Sequence, residues 1–364
     1  MPIKKNNKKI LIVVGTRPNF VKIKPLLEEF KKRKNIKPVL VHTGQHYNFE
    51  MSDIFFKELG IRKPDYNLNA RSGLHGKQTA KILTGLEKIY FKEKPDMVVV
   101  LGDVNSTLAG ALAASKMGIP LCHIESGLRS YDKKMPEEIN RVLTDHVSDF
   151  LFCPTENAVE NLREEGIQKN VYNTGDLMYD IFLKNENNLK KHNEILQTLK
   201  ITPQKYLLLT IHRASNTENP KVLENIIRAV AETRDIVIFP CHPRTEKVLG
   251  KTMLNGFRNI RIVKPVGYME MLCLEKNAKK IITDSGGVQK EAYWFKVPCI
   301  TLRDNAEWVE TVKSGWNILV GGDRQKIVKA IKCFEPDGRQ EAYYGSGKAA
   351  KKITDIITQV LKNG

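Results

Sequence analysis

Short apolar runs of strand length alternate with amphipathic helical stretches along most of the chain, and this alternation constrains the fold more than any other feature. The first runs are Ile10–Gly15, Pro38–Thr43, Met97–Leu101, Ile119–Glu125 and Phe150–Pro154. Repeated strand–helix units predict parallel sheets, and near-continuous apolar strands predict helices on both faces of each sheet. The fold class is therefore α/β, with doubly wound sheets.

The alternation stops after Gly175 and restarts beyond a polar, Asn- and Lys-rich segment without a strand pattern. A chain of 364 residues also has the length of two ordinary domains. The final segment has an amphipathic helical pattern. The predicted boundaries are an amino-terminal Rossmann-like domain over residues 1–183, a linker region over 184–200, a carboxyl-terminal Rossmann-like nucleotide-binding domain over 201–346, and a helix over 347–364 that packs back on the first domain.

Several classes of protein are excluded by composition. No apolar stretch approaches the roughly 18 residues of a membrane helix, and the first apolar run leads into Gly15 without a signal-peptide cleavage site. The six cysteines are isolated, which is typical of buried thiols in a reducing compartment. We therefore expect a cytoplasmic protein with no membrane partner.

A formal net charge of +18 has two interpretations. It is typical of nucleic-acid-binding proteins, but no recognisable nucleic-acid module accompanies the lysine runs. A positive field that attracts phosphorylated small molecules explains the same charge. We predict a small-molecule partner and no nucleic acid.

The clearest phosphate signal is the run Asp284-Ser285-Gly286-Gly287, which joins a predicted strand to a predicted helix. Backbone without side chains can approach an anion there, and the amides of the helix amino terminus can donate to it. A tight turn that needs two glycines is the structural alternative. Glu291 lies about one turn further on and has acceptor oxygens for both hydroxyls of a ribose.

Charged residues also follow the strands of the first domain. Arg17 and Lys22 lie about a helical turn apart after Gly15 and can face a phosphate, or can be solvated cations. Asp103 and Glu125 end two apolar strands, where a helix cap is the alternative for Asp103 and burial of Glu125 needs a purpose. Glu137 opens a helix, which its charge also stabilises through the helix dipole.

Two His-Arg loops follow strands of the second domain. His212 and Arg213 form one, and His242 with Arg244 form the other. A single histidine at a strand end is commonly structural, whereas two such loops beside a crevice favour function. Since HExxH and DxD spacings are missing, we predict no metal and no cofactor.

Read in order, these stretches resemble the motif series of the non-hydrolysing UDP-N-acetylglucosamine 2-epimerases. The matching stretches are GTRPNFVK, TGQH, GDVNST, HIESGLRS, MPEEINRVLTDH, TGDLMYD, TIHRASNTEN, HPR and DSGGVQKEA. The resemblance implies two Rossmann-like domains that face a central crevice, a fold of glycosyltransferase-B type. It also implies interconversion of UDP-GlcNAc and UDP-ManNAc, commonly by a homodimer.

The resemblance implies roles for residues at matching positions. The catalytic set is Asp103, Glu125, Glu137 and His212; which carboxylate is the acid and which the base stays open. The substrate-binding set is Arg17, Lys22, Arg213, Ser285, Gly286, Gly287 and Glu291. The residues implied for a second, activating UDP-GlcNAc are Gln45, His46 and His242.

Two departures from the family pattern bear on the substrate. Asn19 stands where the family usually has Glu or Gln, and Asn305–Glu310 replaces a run that usually carries an arginine. Trp308 in that run can stack on a base or sugar, or can pack internally. A glycosyltransferase or a hydrolysing epimerase that acts on a UDP-sugar is the alternative function.

Overall fold

The computed structural model describes residues 7–45, 60–241, 245–246, 248–250 and 257–363. The chain divides into two compact units. The first combines the chain up to Leu183 with Ala342–Gly364, and the second is Lys184–Glu341. Each unit contains one sheet whose described strand pairs are all parallel. The predicted α/β class with two Rossmann-like doubly wound sheets is confirmed.

The first sheet has seven strands: β1 (Lys8–Val14), β2 (Ile36–His42), β3 (Tyr66–Asn67), β4 (Met97–Leu101), β5 (Leu121–Ile124), β6 (Phe150–Cys153) and β7 (Val171–Asn173). Their spatial order is β3-β2-β1-β4-β5-β6-β7. The helices among them are α1 (Arg17–Lys31), α2 (His75–Glu93), α3 (Asn105–Lys116), α4 (Pro136–Val147), α5 (Glu156–Glu164) and α6 (Leu177–Glu186).

The second sheet has six strands: β8 (Tyr206–Thr210), β9 (Ile236–Pro240), β10 (Ile260–Val263), β11 (Lys280–Thr283), β12 (Cys299–Thr301) and β13 (Asn317–Leu319). Their order is β10-β9-β8-β11-β12-β13. The helices described in this unit after α6 are a 3-10 turn (Leu189–His192), α7 (Glu194–Thr198), α8 (Ala214–Thr217), α9 (Pro220–Glu232), α10 (Tyr268–Lys276), α11 (Gly286–Phe295), α12 (Val309–Lys313) and α13 (Arg324–Cys333).

Burial explains why these segments form strands and helices. Every residue of β4 is buried, as expected for a strand that helices cover on both faces. Helix α9 buries Leu223, Ile226, Ile227 and Val230, a spacing that puts one apolar stripe on the sheet. Its start is fixed by Asn219, whose side chain accepts from the amides of residues 221 and 222. These packed layers fix the strand ends. They thereby position the loops that carry the candidate residues.

Residues 184–200, which the sequence analysis assigns to a linker, contain helical structure of the second unit. Leu196 and Ile201 are buried in the same apolar cluster as Leu274. Both the 3-10 turn and α7 contact α10. Two short helical turns carry too few apolar residues to produce a visible period, which is why the sequence reads as a polar spacer.

The last helix, α14 (Ala349–Asn363), belongs to the first unit and packs against α1. The carboxylate of Asp180 accepts hydrogen bonds from the amides of Ala349 and Ala350, at 3.0 and 2.8 Å, at the start of this helix. Arg33 and Asp355 form an ion pair across the contact with α14. Within the described ranges, no helix is both long and apolar enough to cross a membrane.

Candidate active site

Each sheet reverses its strand order beside its first strand, between β1 and β4 in the first unit and between β8 and β11 in the second. In open α/β sheets, ligands bind outside the carboxyl ends of the strands at this reversal. The loops after these four strands, together with the loop after β5, carry most of the candidate residues.

Glu125 follows β5, and its buried carboxylate forms an ion pair with Lys22 of α1. Burial alone would lower the pKa of Lys22, but Glu125, and to a lesser degree Asp176 and Asp103, raise the pKa above its usual value. Lys22 is therefore charged at any physiological pH. Its ammonium contacts the Glu125 carboxylate, whereas the sequence alone suggested a contact with phosphate.

The backbone of Glu125 is in the left-handed region, with φ of 70°. This conformation costs a residue with a side chain roughly 1 to 3 kcal/mol, and such residues cluster at functional sites. Gly102 lies opposite, and a Cβ atom there would be 3.4 Å from Glu125 Oε2. The φ of Gly102, +65°, also favours glycine. The end of β4 can thus come close to the Glu125 carboxylate.

Asp103 follows Gly102, and its carboxylate pairs with Arg141 of α4. The side chain is 30% exposed, so a ligand can reach it. Asn140 holds the backbone by donating from Nδ2 to the Asp103 carbonyl at 2.9 Å. Strands β4 and β5 are neighbours, so Asp103 and Glu125 lie at the same edge of the sheet, each facing a cation.

The two glutamates that open α4 have different environments. Glu138 is buried, and its carboxylate accepts from the amides of Ser130 and Tyr131 at 2.9 Å each. It also pairs with Arg141 at 3.2 Å. Glu138 therefore fixes the loop before the helix, and Glu137, only partly buried, is the one that the motif assigns to chemistry.

A buried polar network lies beneath these loops. His123 Nδ1 is 2.6 Å from Asp145 Oδ1, and His123 Nε2 is 2.8 Å from the Gly102 carbonyl. Arg129 donates to Asp145 at 2.7 Å. Burial alone would raise the pKa of Asp145, but His123 and then Arg129 hold the pKa below its usual value. The network joins the loop that carries Asp103 to the loop that carries Glu125.

The loop after β1 is closed by Asn19. Its Oδ1 accepts from the amides of Gly15 and Thr16 at 3.2 Å each, and its Nδ2 donates to the Leu101 carbonyl at 3.4 Å. Asn19 is buried, and its Oδ1 also accepts from the Thr16 hydroxyl at 3.1 Å, so its described contacts are within the protein. Arg17 is the first residue of α1, and its side chain lies outside the described part of the structure.

Of the residues implied for a second nucleotide, only Gln45 is described; His46 and His242 lie outside the described residues. Gln45 is buried, and its Oε1 accepts from the backbone amide and the hydroxyl of Ser106, at 2.9 and 2.6 Å. Those bonds satisfy a donor in the first turn of α3. Gln45 therefore has a structural task in this unit.

In the second unit, His212 follows β8 and pairs with Asp284, which follows β11. His212 Nδ1 is 2.8 Å from Asp284 Oδ1, and the His212 side chain is 53% exposed. The backbone amides of His212 and Arg213 also donate to the Asp284 carboxylate, at 3.1 and 3.0 Å. Burial alone would raise the pKa of Asp284, but His212, Arg213 and Asn216 together lower it. An ionised Asp284 orients the histidine.

The phosphate signal from the sequence forms the start of α11. Ser285 is the residue that caps this helix, and its hydroxyl accepts from the Val288 amide at 3.5 Å. Gly286 packs closely on Trp308, whose Nε1 would be 3.0 Å from a Cβ atom at that position. Gly287 follows in the first turn, and Glu291, one turn later, is buried.

Trp308 packs inside the second unit. It is buried, and the Lys290 ammonium lies 3.7 Å from its ring centroid. Glu307 pairs with Arg303 at 2.7 Å and with Arg213 at 3.9 Å. The Asn305–Glu310 run therefore supplies a buried carboxylate that holds two arginines, in addition to the aromatic ring.

The residues that the sequence reasoning missed are the partners of those it found. Asp284 was quoted only as part of a glycine-rich loop, and Arg141 only as one letter of the MPEEINRVLTDH stretch. His123 and Asp145 belong to quoted motifs but had no assigned role. A polar residue inside an apolar strand, as His123 is, was the one available signal.

Chemically, the first unit offers carboxylates beside cations, suited to moving protons. The second unit offers an oriented histidine and a helix amino terminus, suited to binding an anion. Among the described residues, no group of three or more His, Cys, Asp or Glu side chains is placed to hold a metal ion.

Comparison with known proteins identifies the family of this architecture. The family model described as UDP-N-acetylglucosamine 2-epimerase matches residues 28–358. A UDP-N-acetylglucosamine 2-epimerase homolog of Methanococcus maripaludis is 53% identical, over 96% of this chain and 99% of the relative. A UDP-2,3-diacetamido-2,3-dideoxy-D-glucuronate 2-epimerase of Pseudomonas aeruginosa is 43% identical, over 97% of this chain and 100% of the relative.

A solved structure agrees. The crystal structure of Methanocaldococcus jannaschii UDP-GlcNAc 2-epimerase in complex with UDP-GlcNAc and UDP superposes with a TM-score of 0.90. It is 46% identical in sequence, and the alignment covers 96% of this chain and 99% of that chain.

Proposed function

Because the chain belongs to the UDP-N-acetylglucosamine 2-epimerase family, we propose that it is an isomerase that interconverts UDP-GlcNAc and UDP-ManNAc. The observation that carries this proposal is the pair of carboxylates, Asp103 and Glu125, at the ends of adjacent strands, each beside a cation. Epimerisation needs a proton removed from one face of C2 and another delivered to the opposite face.

The C2 hydrogen of the sugar is hardly acidic, so the reaction proceeds by elimination. The C1–O bond to UDP breaks with its electron pair on the leaving phosphate, and loss of the C2 proton forms a 2-acetamidoglucal. A proton then adds to C2 from the opposite face, and UDP returns to C1. Atoms and charge balance without an oxidant or a cofactor.

The first unit supplies the proton chemistry. Asp103, Glu125 and Glu137 are the candidate acid and base groups, and all three follow or flank strands of one sheet. Lys22 pairs with the Glu125 carboxylate and so holds it in place. Asp103 is partly exposed next to Arg141, so it can exchange a proton with a ligand.

The second unit supplies the binding of UDP. Ser285, Gly286 and Gly287 at the start of α11 present amides to the pyrophosphate, and His212 and Arg213 add donors and charge. Arg17 of the first unit is a further candidate for this contact. Glu291 accepts hydrogen bonds from the ribose hydroxyls.

The test is conversion in deuterium oxide. Purified protein given only UDP-GlcNAc is expected to form UDP-ManNAc that carries deuterium at C2, measured by NMR. Conversion without deuterium at C2 contradicts the elimination. A requirement for a sugar acceptor indicates a glycosyltransferase instead, and release of UDP with free N-acetylmannosamine indicates a hydrolysing epimerase.

A second substrate is favoured by the 43% identical relative, whose name specifies a diacetamido-glucuronate nucleotide. The Asn305–Glu310 run, with Trp308 packed and Glu307 holding two arginines, lies in the half that binds the nucleotide. Side-by-side assays with UDP-GlcNAc and UDP-2,3-diacetamido-2,3-dideoxy-D-glucuronate decide between them. The substrate is the one with the higher kcat/KM.

Three further parts of the proposal extend the family resemblance. We propose that the protein is a homodimer in the cytoplasm, and that Gln45, His46 and His242 contact an activating second UDP-GlcNAc. Size-exclusion chromatography with light scattering tests the dimer. A sigmoidal dependence of rate on UDP-GlcNAc, lost in His242→Ala, supports the activating site, and a hyperbolic dependence contradicts it.

A further inference from the structure

Glu275 is a fully buried carboxyl group in the second unit. It lies in the last turn of α10, next to Leu274, which is part of the apolar core. Neither of its carboxyl oxygens accepts a hydrogen bond from a donor in the described part of the chain. A carboxylate in such a place would lose its hydration without compensation, which is strongly unfavourable.

The surroundings favour the neutral acid. Burial, together with the nearby Glu291 carboxyl, raises the pKa of Glu275 well above its usual range. Burial likewise raises the pKa of the neighbouring Cys299 thiol to about 12, and Glu275 contributes to that rise. The neutral acid, with one O–H group to donate, is therefore the form that this buried site favours.

The acceptor for this hydrogen bond is the Glu291 side chain. Glu275 and Glu291 are both buried, and their helices, α10 and α11, pack against each other. The Glu291 carboxyl also contributes to the raised pKa of Glu275. Glu291 lies one turn beyond the Ser285–Gly287 loop, on the helix whose amino terminus faces the proposed pyrophosphate site. The contact thus joins a core residue to the proposed nucleotide site.

We propose that Glu275, as a neutral carboxyl, donates a hydrogen bond to Glu291 and holds its carboxylate in the orientation that accepts the ribose hydroxyls of the nucleotide. Glu275 is a positioning residue and does not touch the ligand. This inference rests on the role proposed above for Glu291.

Packing alone does not explain a glutamate at this position. Its neighbour Leu274, and Val288 and Ala292 on the packed helix α11, are apolar and buried, so an apolar side chain suits the same region. Replacement of a buried polar group by an apolar one of similar shape is often neutral for stability. The hydrogen bond to Glu291 is the feature that only a donor can supply.

The experiment compares two nearly isosteric variants, Glu275→Gln and Glu275→Met, by calorimetric titration. The amide of Glu275→Gln can still donate to Glu291, whereas the Met side chain cannot. The ligands are UDP and 2′,3′-dideoxy-UDP, which lacks both ribose hydroxyls. We expect Glu275→Met to bind UDP about tenfold more weakly, from loss of one well-oriented pair of hydrogen bonds. Its affinity for dideoxy-UDP should be unchanged, and Glu275→Gln should match the wild type.

Controls separate positioning from general loosening of α10. Leu274→Ala opens a cavity in the same helix and should lower the melting temperature without changing the ratio of the two affinities. In a Glu291→Gln background, Glu275→Met should have no further effect on that ratio. The infrared band of a protonated carboxyl should be present in the wild type and diminished in Glu275→Gln.

Three results overturn the inference. The first is an equal loss of affinity for UDP and dideoxy-UDP in Glu275→Met. The second is an unchanged affinity for UDP in that variant, and the third is an unchanged infrared band in Glu275→Gln. If Glu291→Gln itself leaves the ratio of affinities unchanged, the ribose contact of Glu291 is wrong, and the positioning role fails with it. Epimerisation is measured separately, so its absence alongside a normal binding pattern contradicts the reaction and leaves the positioning role standing.

Discussion

Glu125 combines a left-handed backbone with a buried charge. Its φ of 70° is unfavourable for a residue with a side chain, and its carboxylate lies out of water beside Lys22. The left-handed backbone and the buried charge are each unusual. A carboxylate with a purely structural role requires neither of them. Gly102 leaves space for the same carboxylate. The combination is typical of a residue whose orientation matters to a reaction.

Removal of the Lys22 charge should damage both stability and activity. In Lys22→Met, the ammonium that faces the Glu125 carboxylate is lost, and breaking a buried pair typically costs about 3 to 5 kcal/mol. We expect a lower melting temperature and a lower kcat. Lys31→Met, at an exposed site on the same helix, is the matched control.

A double variant separates the ion pair from the helix. In Lys22→Met/Glu125→Gln, no unbalanced charge remains, so the melting temperature should recover part of the loss while activity stays low. If the loss of stability in the double variant equals the sum of the losses in Lys22→Met and Glu125→Gln, the pair does not contribute as a unit.

Asp284→Asn should lower the rate more than the affinity. The buried carboxylate fixes His212 through Nδ1 and through the backbone amides of residues 212 and 213. An amide there can favour the wrong tautomer, so we expect kcat to fall by about 10²-fold. Steady-state kinetics with UDP-GlcNAc provide the measurement.

Asp235→Asn, which changes an acid paired with Lys279 in the same unit, is the control for Asp284→Asn and should behave like the wild type. If Asp284→Asn raises KM and leaves kcat intact, His212 binds the nucleotide and takes no part in the chemical step.

At this scale, sequence motifs identify residues but not their partners. His212 and Glu125 are visible because they end strands in a recognisable order. Their partners Asp284 and Lys22 are separated from them by 72 and 103 residues in the chain. Only the fold brings such positions together. Because the sequence does not show that Lys22 contacts Glu125, the sequence analysis suggested that Lys22 contacts a phosphate.

At the scale of secondary-structure elements, the His123–Asp145 contact joins β4, β5 and α4. His123 belongs to β5, its Nε2 faces the carbonyl after β4, and Asp145 belongs to α4. The two loops that carry Asp103 and Glu125 are therefore tied to one buried pair. A strand, its neighbour and the covering helix thus form one hydrogen-bonded support for the proposed acid and base groups.

The stabilising effect of Asp145 should depend on pH with a definite sign. Its folded-state pKa is lowered, so its contribution is complete above the unfolded-state pKa, about 3.9, and is lost as the pH falls through the folded-state pKa. We expect Asp145→Asn to melt well below the wild type at pH 6, by the equivalent of about 3 kcal/mol. The gap should narrow below about pH 4.

Glu160→Gln is the comparison for Asp145→Asn, because Glu160 forms an exposed ion pair with Arg163. Such pairs contribute at most about 1 kcal/mol, so this variant should melt close to the wild type at every pH. If the difference in stability between Asp145→Asn and the wild type stays constant from pH 3 to pH 6, the ionised Asp145 carboxylate is not the cause of that difference.

The positions of the long strands and helices are the feature of this molecule that the sequence predicts best. Strands such as β4 have five consecutive apolar residues, and the stripe of α9 has the period of a helix, so both can be read directly. The turns within 189–198 are too short to show a period, and tertiary contacts with α10 decide their conformation. Periodicity thus predicts long elements well and short ones poorly.

At the scale of the whole molecule, each unit repeats the same strand order on either side of its reversal, and each presents different chemistry there. The first unit has carboxylates beside cations, and the second has the histidine and the glycine-rich helix start. This division explains why a reading of the residues alone reached a nucleotide-binding α/β enzyme. The reaction at C2 required the ordered motifs of both halves.

The net charge of +18 belongs to the whole molecule and predicts how binding depends on salt. A UDP-sugar carries two negative charges, so a positive field raises its local concentration at low ionic strength. Because the Debye length falls from about 30 Å at 0.01 M salt to about 8 Å at 0.15 M, KM should rise roughly three- to tenfold over this range while kcat stays constant. Initial rates in a series of KCl concentrations measure both. Competing duplex DNA in physiological salt should leave the rate unchanged; inhibition there would instead assign the charge to nucleic-acid binding, with affinity that falls steeply as salt rises.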